Sequence, residues 1–220
     1  PRARDVLGSL TDASLESADF PWRSAQEIDI AGISTLALRI NYVGELGWEL
    51  HPPMADLPAL YTALWAAGEA HGIADFGLYA LNSLRMEKAY RGWGAELTNE
   101  VTMLEADMAR FFGSAKEDFV GKTATETGEV GPLRLVYFEV DAENADVRGG
   151  EPIFLNDACI GVTTSGGYGY AVEKSLGFGY VPPEQSAPGS VMDIGLLDAR
   201  CRATVLAEPI YDPANERLAS

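Results

Sequence analysis

The chain has 220 residues, enough for one large domain or two small ones, and a formal net charge of −17 at pH 7. Lysine and arginine number 16 against 33 aspartates and glutamates, so a basic face that could neutralise nucleic-acid phosphates or an anionic membrane surface is not expected. No run approaches the roughly 20 apolar residues of a membrane helix. We therefore expect neither nucleic acid nor membrane as a partner.

The first 42 residues predict a short helix followed by two strands. Residues 1–10 have apolar positions spaced for one helical face, and residues 26–31 and 33–42 are predicted as strands around Gly32. The second strand alternates with a period of two, which is typical of a half-buried strand. The apolar positions of that alternation are Leu36, Leu38, Ile40 and Tyr42.

Residues 41–51, N-Y-V-G-E-L-G-W-E-L-H, predict a tight hairpin. Two glycines bracket Glu45 at its tip, and Tyr42 and Glu49 lie on its arms. An aromatic ring and a carboxylate can together bind a flat, nitrogen-rich heterocycle, because the ring stacks and the carboxylate accepts N–H bonds. The alternative is a solvated Glu49 and a core-packed Tyr42, since such hairpins are common.

Two helices are predicted next. The first begins after Asp56 as N-cap and ends at Gly72, and Trp65 lies on its apolar stripe as a core residue. The second covers residues 78–88. Its buried positions are expected to be Leu78, Leu81 and Leu84.

Cations and aromatics come close together at residues 85–94, R-M-E-K-A-Y-R-G-W-G. Arg85, Lys88 and Arg91 accompany Tyr90 and Trp93 in an otherwise acidic chain. One interpretation is a solvated helix end, since cations favour helix C-termini. The other is a wall that faces an anionic ligand.

The rest of the chain predicts a polar linker and a small barrel. Residues 122–131 are polar and threonine-rich, and the following segments are short apolar runs separated by glycine and proline. Strands are predicted at residues 133–140, 153–155, 159–164, 175–181, 191–197 and 200–206. The glycines of residues 161–167 lack the Lys-Ser/Thr of a phosphate-binding loop, so tight barrel corners are expected there.

Cys159 and Cys201 each lie in one of these apolar runs, and the two histidines, His51 and His71, lie far from them in sequence. Four scattered residues do not predict a metal site. Buried free thiols in a reducing compartment are expected, and a disulfide between the two cysteines is the alternative.

Several of these motifs resemble one family. Residues 41–50 are similar to the Y-x-G-E-x-G-[FW]-E-[IL] signature of the glycine-cleavage T-protein family, the tetrahydrofolate-dependent aminomethyltransferases. The same domain forms the C-terminal half of dimethylglycine and sarcosine dehydrogenases. Further similar motifs, in the family's order, are L-R-x-E-K-x-[YF]-x-x-W-G at residues 84–94, K-x-D-F-[IV]-G at 116–121, G-x-x-T-S-G-G-Y-G at 161–169 and L-G-F-G-Y-V-P at 176–182.

The resemblance implies a fold class and a domain organisation. We expect an α+β chain: a ferredoxin-like or antiparallel α+β lobe, N-terminally truncated, over residues 1–125, and a C-terminal antiparallel β-barrel over residues 130–220. These would be two parts of the three-lobed aminomethyltransferase fold, and the first lobe is expected to be absent.

The resemblance also implies site residues. Tyr42 and Glu49 match the positions that hold the pterin ring, and Arg85, Tyr90 and Trp93 would border the folate cavity. The family's essential aspartate lies well before the hairpin signature. None of Asp5, Asp12, Asp19 and Asp29 sits in the expected motif. The catalytic residue is therefore left unknown.

The implied function is tetrahydrofolate-dependent one-carbon (methylene) transfer from a methylated glycine or aminomethyl donor. Leu81 stands where plain T-proteins carry an arginine, which favours the C-terminal folate domain of a dimethylglycine or sarcosine dehydrogenase. FAD would belong only to an upstream domain absent from this chain. The alternatives are a stand-alone aminomethyltransferase, a folate-dependent demethylase and a non-catalytic folate-binding protein.

The same resemblance sets expectations for partners and compartment. A small-molecule amine would be the substrate, and the missing lobe, a flavin domain or a second copy of the chain would cover exposed apolar surface. The chain alone is expected to be inactive. Its compartment would be the bacterial cytoplasm, or the mitochondrial matrix in a eukaryote.

Overall fold

The computed structural model describes residues 2–113, 115–127 and 131–220, and the chain divides into two compact units. The first unit comprises Pro1–Leu81 with Asp212–Ser220, and the second comprises Asn82–Tyr211. An antiparallel sheet with helices precedes a closed antiparallel barrel, which confirms the predicted α+β class. The predicted domain boundary at residues 125–130 stays a prediction.

A three-stranded antiparallel sheet forms the centre of the first unit, in the order β1-β2-β3. Its strands are β1 (Ala25–Ile30), β2 (Ile33–Leu38) and β3 (Glu49–His51). The helices of this unit are α1 (Ala3–Gly8), α2 (Leu57–Gly68) and α5 (Glu216–Ala219), with 3-10 turns at Met54–Asp56 and Glu69–His71. Helix α3 (Leu78–Glu87) begins in this unit and continues past Leu81 into the second. The core of this unit includes Leu7, Leu15, Phe20, Ile28, Ile30, Ala37 and Leu60.

The period of two in β2 is present, but the small and polar positions form the buried face. Thr35 and Ala37 are fully buried, and Arg39, just beyond the strand, is 1% exposed. Leu36 is 45% exposed on the opposite face. Hydrophobicity alone therefore does not identify the face of β2 that packs on the core.

The tight hairpin predicted for residues 41–51 is wrong. Strands β2 and β3 do pair antiparallel, with Leu36 opposite His51 and Leu38 opposite Glu49, but residues 39–48 form a longer loop between them. The Asn41 side chain accepts hydrogen bonds from the Val43 and Gly44 amides at 3.0 and 2.9 Å. Such local side-chain bonds compete with a strand ladder, so β2 ends at Leu38 rather than residue 42.

Helices α2 and α3 occur where they were predicted. Gly72 adopts a left-handed conformation after the 3-10 turn that extends α2, as expected of a C-terminal glycine. Trp65 is half-buried and stacks on Tyr61 with ring centroids 6.0 Å apart. The predicted burial of Leu78 is wrong, since this residue is 82% exposed. Leu78 is the first residue of α3, and the buried part of the helix begins only at Ser83.

The second unit is built on a closed barrel with the strand order β4-β7-β6-β5-β8-β9. Its strands are β4 (Arg134–Val140), β5 (Pro152–Leu155), β6 (Ala158–Gly169), β7 (Lys174–Val181), β8 (Val191–Leu196) and β9 (Ala199–Val205). Phe138, Ile153 and Ile194 are fully buried in its core. A helix, α4 (Lys122–Thr127), occupies part of the predicted linker, and 3-10 turns lie at Ala109–Phe111 and Pro183–Gln185.

The glycines of β6 lie where the barrel leaves no room for a side chain. A Cβ atom on Gly161 would come within 2.1 Å of the Tyr180 carbonyl oxygen, and one on Gly166 within 2.4 Å of the Val147 Cβ. These glycines therefore serve close strand packing.

Both cysteines are free thiols. Their expected burial is only partly right: Cys201 is half-buried, but Cys159 is exposed at the start of β6. The described part of the chain contains no group of three or more His, Cys, Asp or Glu side chains arranged for a metal ion. No described helix is long and apolar enough to cross a membrane.

Candidate functional site

The first unit carries Tyr42 and Glu49. Tyr42 is half-buried in the loop of residues 39–48, which the Asn41 side chain organises. Glu49 opens β3, its side chain is 47% exposed, and its carboxylate lies 3.7 Å from the His51 imidazole. Because Glu49 pairs with Leu38, a carboxylate and an apolar side chain share the outer face of the sheet.

A buried arginine stabilises this loop from the core side. Arg39 donates hydrogen bonds to the Phe20 carbonyl at 2.5 Å and to the Ser17 hydroxyl at 3.1 Å, and its guanidinium lies 5.8 Å from the Trp48 ring. Burial lowers the pKa of Arg39, and the positive charge of Arg4 lowers it further. Trp48 also packs edge-on against Phe20 at 6.1 Å. The residues on either side of the Tyr42 loop are thus held by core contacts.

In the second unit, one buried carboxylate holds the glycine-rich loop that follows α3. Glu96 is fully buried and accepts hydrogen bonds from the Gly92 amide at 2.7 Å and the Arg85 guanidinium at 3.1 Å. Its other carboxylate oxygen accepts hydrogen bonds from Thr164 and Ser165 of β6. Glu96 therefore ties the loop to both the helix and the barrel.

The structure brings Arg85 and Tyr90 together but gives Arg85 a structural environment. The Arg85 side chain is 6% exposed, and it donates to Asn82 Oδ1, to the Tyr90 carbonyl, both at 3.0 Å, and to Glu96. Tyr90 is half-buried, whereas Trp93 is 82% exposed. Of the predicted site residues Arg85, Tyr90 and Trp93, Trp93 is therefore the most exposed, and its ring is accessible to a ligand.

Sequence reasoning missed Glu96 and Arg39. Glu96 follows a glycine-rich run without any local pattern, and its burial depends on Thr164 and Ser165, about 70 residues later. In the period-two pattern of β2, Arg39 falls on the same face as Thr35 and Ala37, which the sequence assigns to solvent. A lone charged residue at such a position carries no local signal of burial.

Two family models match the chain. The model described as the GCVT N-terminal domain matches residues 1–116, and that described as the glycine cleavage T-protein C-terminal barrel domain matches residues 134–212. Together they cover most of the sequence. The chain belongs to the glycine cleavage T-protein family.

Individual members of the family include dehydrogenases and transferases. The mitochondrial dimethylglycine dehydrogenase of Mus musculus is 40% identical over 99% of this chain, which spans 26% of that protein. The mitochondrial sarcosine dehydrogenase of Mus musculus is 33% identical over 99% of the chain, which spans 25% of it. An aminomethyltransferase of Listeria monocytogenes is 33% identical over 97% of the chain, which spans 58% of it.

A solved structure has the same fold. The aminomethyltransferase T of the glycine cleavage system from Bartonella henselae superimposes with a TM-score of 0.83 at 25% identity. The alignment covers 97% of this chain and 58% of that protein. The chain therefore spans little more than half of the aminomethyltransferases and about a quarter of the dehydrogenases.

Proposed function

We propose that this chain takes part in tetrahydrofolate-dependent transfer of a methylene group from a methylated glycine, as the folate domain of a dimethylglycine or sarcosine dehydrogenase. The observation that carries the proposal is the exposed Glu49 carboxylate, which lies beside Leu38 at the end of the loop that bears Tyr42. The higher identity to dimethylglycine dehydrogenase, 40% against 33% for the aminomethyltransferase, favours the dehydrogenase type.

The residues of the first unit fit a reduced pterin. The amino-pyrimidine edge of such a ring presents N–H donors, and an ionised carboxylate accepts two of them. Glu49 is accessible for this contact, and Tyr42 supplies an aromatic ring in the same unit. Arg85 fits less well as a direct contact, because its guanidinium is already bound by Asn82 and Glu96.

Bound tetrahydrofolate would supply the nucleophilic nitrogens that accept the one-carbon unit. In this proposal Glu49 and Tyr42 orient the pterin. The amine substrate and the FAD of an upstream domain are parts of the same proposal, as membership of the family implies.

The test is a Glu49→Gln substitution. Loss of a charged hydrogen bond to the pterin weakens binding by about 1.5–3 kcal/mol, so tetrahydrofolate affinity measured by titration calorimetry is expected to fall at least about tenfold. Glu27→Gln is the matched control, because Glu27 lies on the same face of the sheet, opposite Leu36. Unchanged affinity in Glu49→Gln, or an equal loss in both variants, would refute the assignment.

A stand-alone aminomethyltransferase is the second candidate, supported by the TM-score of 0.83 to such an enzyme. The two candidates differ in their donor. Methylene transfer from dimethylglycine or sarcosine in a flavin-containing protein supports the first, and transfer from an aminomethyl group carried by another protein supports the second. A demethylase or a non-catalytic folate binder would show folate binding without either reaction.

Association and compartment follow as parts of the same proposal. Leu36 and Trp93 are exposed apolar residues that a further lobe, a flavin domain or a second copy could cover. Light scattering on the purified chain distinguishes a dimer from a monomer. Location in the mitochondrial matrix is proposed for a eukaryotic source and in the cytoplasm for a bacterial one.

A further inference from the structure

The segment Asp212–Ser220, which we call the strap, follows the barrel in sequence but packs within the first unit. It contains α5 (Glu216–Ala219), a helix of four residues. Isolated helices shorter than about 12–15 residues are marginal in water, so contacts from outside the helix must hold this one. Those contacts lead to the loop of residues 39–48, which bears Tyr42.

The strap is fixed by a carboxylate at its start and by a buried side chain near its end. The Asp212 carboxylate accepts hydrogen bonds from the backbone amides of Glu216 at 2.9 Å and Arg217 at 3.2 Å. These amides belong to the first turn of α5 and have no acceptor within the helix. Leu218 is 3% exposed, so the strap is packed against the unit and does not lie loosely on its surface.

Two arginines bind the backbone oxygens at the end of α5. Arg39 donates to the oxygens of Ala219, at 3.1 Å, and Ser220. Arg4 donates to the same Ser220 oxygen at 2.8 Å. The carbonyls at the end of a helix have no partner in the helix and carry partial negative charge, so guanidinium groups are suitable donors to them.

Arg39 connects the strap to the loop, because it is the first residue of that loop and is 1% exposed. Burial lowers the pKa of Arg39, and the like charge of Arg4 lowers it further. An oxygen that accepts from both guanidinium groups offsets the repulsion between them. Without the strap, Arg39 would retain its bonds to Phe20 and Ser17 but lose two acceptors in a buried position, which is costly for a charged donor.

A second contact reaches the same loop at Glu45. The Arg217 guanidinium lies 3.8 Å from the Glu45 carboxylate. The Arg217 side chain is 62% exposed, so this ion pair contributes less than the buried bonds of Arg39. The strap thus contacts the loop at Arg39 and at Glu45, on either side of Tyr42 in sequence.

We infer that the strap is a positioning element for the pterin contacts, and that it holds the loop of residues 39–48, through Arg39 and Arg217, in the conformation that presents Tyr42 and Glu49. The inference rests on the proposed function, because it takes these two residues as the pterin contacts. A binding loop that is ordered in only a fraction of the molecules has its affinity reduced by that fraction. Arg39 and Arg217 are therefore positioning residues, which act through the loop.

The test loosens the strap in the full chain with Leu218→Ala and follows the loop in two ways. Hydrogen exchange measured by mass spectrometry reports on the ligand-free loop, and titration calorimetry reports on tetrahydrofolate affinity. Exchange in residues 41–48 should become faster. Affinity should fall about tenfold if the loop stays ordered in roughly a tenth of the molecules. Leu218→Met conserves the side-chain volume and should retain both wild-type values.

Arg217→Gln is a second variant, at an exposed position where folding is not at risk. It should accelerate the same exchange and weaken affinity to a smaller extent, about twofold, as expected for an exposed ion pair.

Leu196→Ala is the matched control, because Leu196 is 4% exposed in the barrel core of the second unit. It should lower stability but leave loop exchange and tetrahydrofolate affinity unchanged. Unchanged exchange of residues 41–48 in Leu218→Ala, or equal acceleration in Leu196→Ala, overturns the inference.

The failure of the inference differs from that of the proposed function. If Glu49→Gln weakens affinity while Leu218→Ala does not, the strap has no positioning role and the pterin contacts stand. If the wild-type chain does not bind tetrahydrofolate, the proposed function fails, and the exchange measurement alone then decides whether the strap holds the loop.

Discussion

The buried ion pair between Arg85 and Glu96 holds the loop that follows α3. Both side chains are almost inaccessible to solvent, and Glu96 satisfies its two oxygens with Arg85, Gly92, Thr164 and Ser165. The Tyr180 hydroxyl donates a further hydrogen bond to the Glu96 backbone carbonyl at 2.8 Å. Burial raises the pKa of Tyr180 to about 12, so this hydroxyl keeps its proton at neutral pH. A fully paired buried charge of this kind specifies one loop conformation.

Replacing Glu96 should therefore be costly. Glu96→Gln removes the charge and leaves the Arg85 guanidinium buried without a counter-ion, so we expect the free energy of unfolding to fall by about 3–5 kcal/mol. Urea denaturation followed by circular dichroism measures this. Asp5→Asn is the control, because the Arg2–Asp5 pair is exposed and should contribute less than about 1 kcal/mol. Equal small losses in both variants would contradict the structural role of Glu96.

Glu151 gives the stability of the barrel a dependence on pH. Burial alone would raise the pKa of this carboxyl, but hydrogen bonds from Thr163, Gly149 and Arg148 outweigh that effect and the pKa is lowered. A group whose folded-state pKa is depressed contributes stability above its unfolded pKa and loses it as the pH falls through the folded value.

The difference in unfolding free energy between the wild type and Glu151→Gln should thus be largest near neutral pH and shrink in acid. Urea denaturation in a series from about pH 7 down to the acid range below the ordinary carboxyl pKa tests this. Glu143→Gln, in a nearby exposed position, serves as the comparison. A difference that stays constant, or grows, as the pH falls would be incompatible with the depressed pKa.

At the scale of elements, the sequence was sufficient where signals are local. The strands around Gly32, the helix after Asp56 and the short strands of the barrel follow from periodicity and turn residues, although the Asp56 side chain makes no capping hydrogen bond. The loop of residues 39–48 was mistaken for a tight hairpin, because the Asn41 side chain closes it in a way that spacing does not reveal. Among the predicted site residues, the burial of Arg85 was not visible in the sequence, because it depends on Glu96 and on the distant barrel hydroxyls of Thr164 and Ser165.

Barrel closure depends on glycine at the point where β6 crosses close to β7. A methyl group on Gly161 would lie 2.1 Å from the Tyr180 carbonyl oxygen, and backbone cannot move as a flexible side chain does. Gly161→Ala should cost about 1–3 kcal/mol of stability, measured by thermal and urea unfolding. Gly77→Ala is the control, because nothing lies within 4 Å of its added Cβ. A Gly161→Ala barrel as stable as the wild type would mean that the two strands can separate at low cost.

At the scale of the whole molecule, the charge of −17 opposes compaction and makes stability depend on salt. The Debye length falls from about 30 Å at 0.01 M to about 8 Å at 0.15 M ionic strength, so added sodium chloride screens repulsion between carboxylates across the surface. We expect the urea midpoint to rise over this range.

A charge-reducing variant makes the salt experiment specific. Glu143→Lys replaces one negative charge by a positive one and changes the net charge from −17 to −15, so its midpoint should be higher at low salt and rise less as salt is added. Sodium chloride and sodium perchlorate at equal ionic strength separate screening from ion-specific effects, since screening depends on ionic strength alone. A midpoint that falls with both salts in the wild type would show that paired surface charges outweigh net repulsion. The acidic composition would then stabilise the fold through local ion pairs such as Glu139 with Lys174.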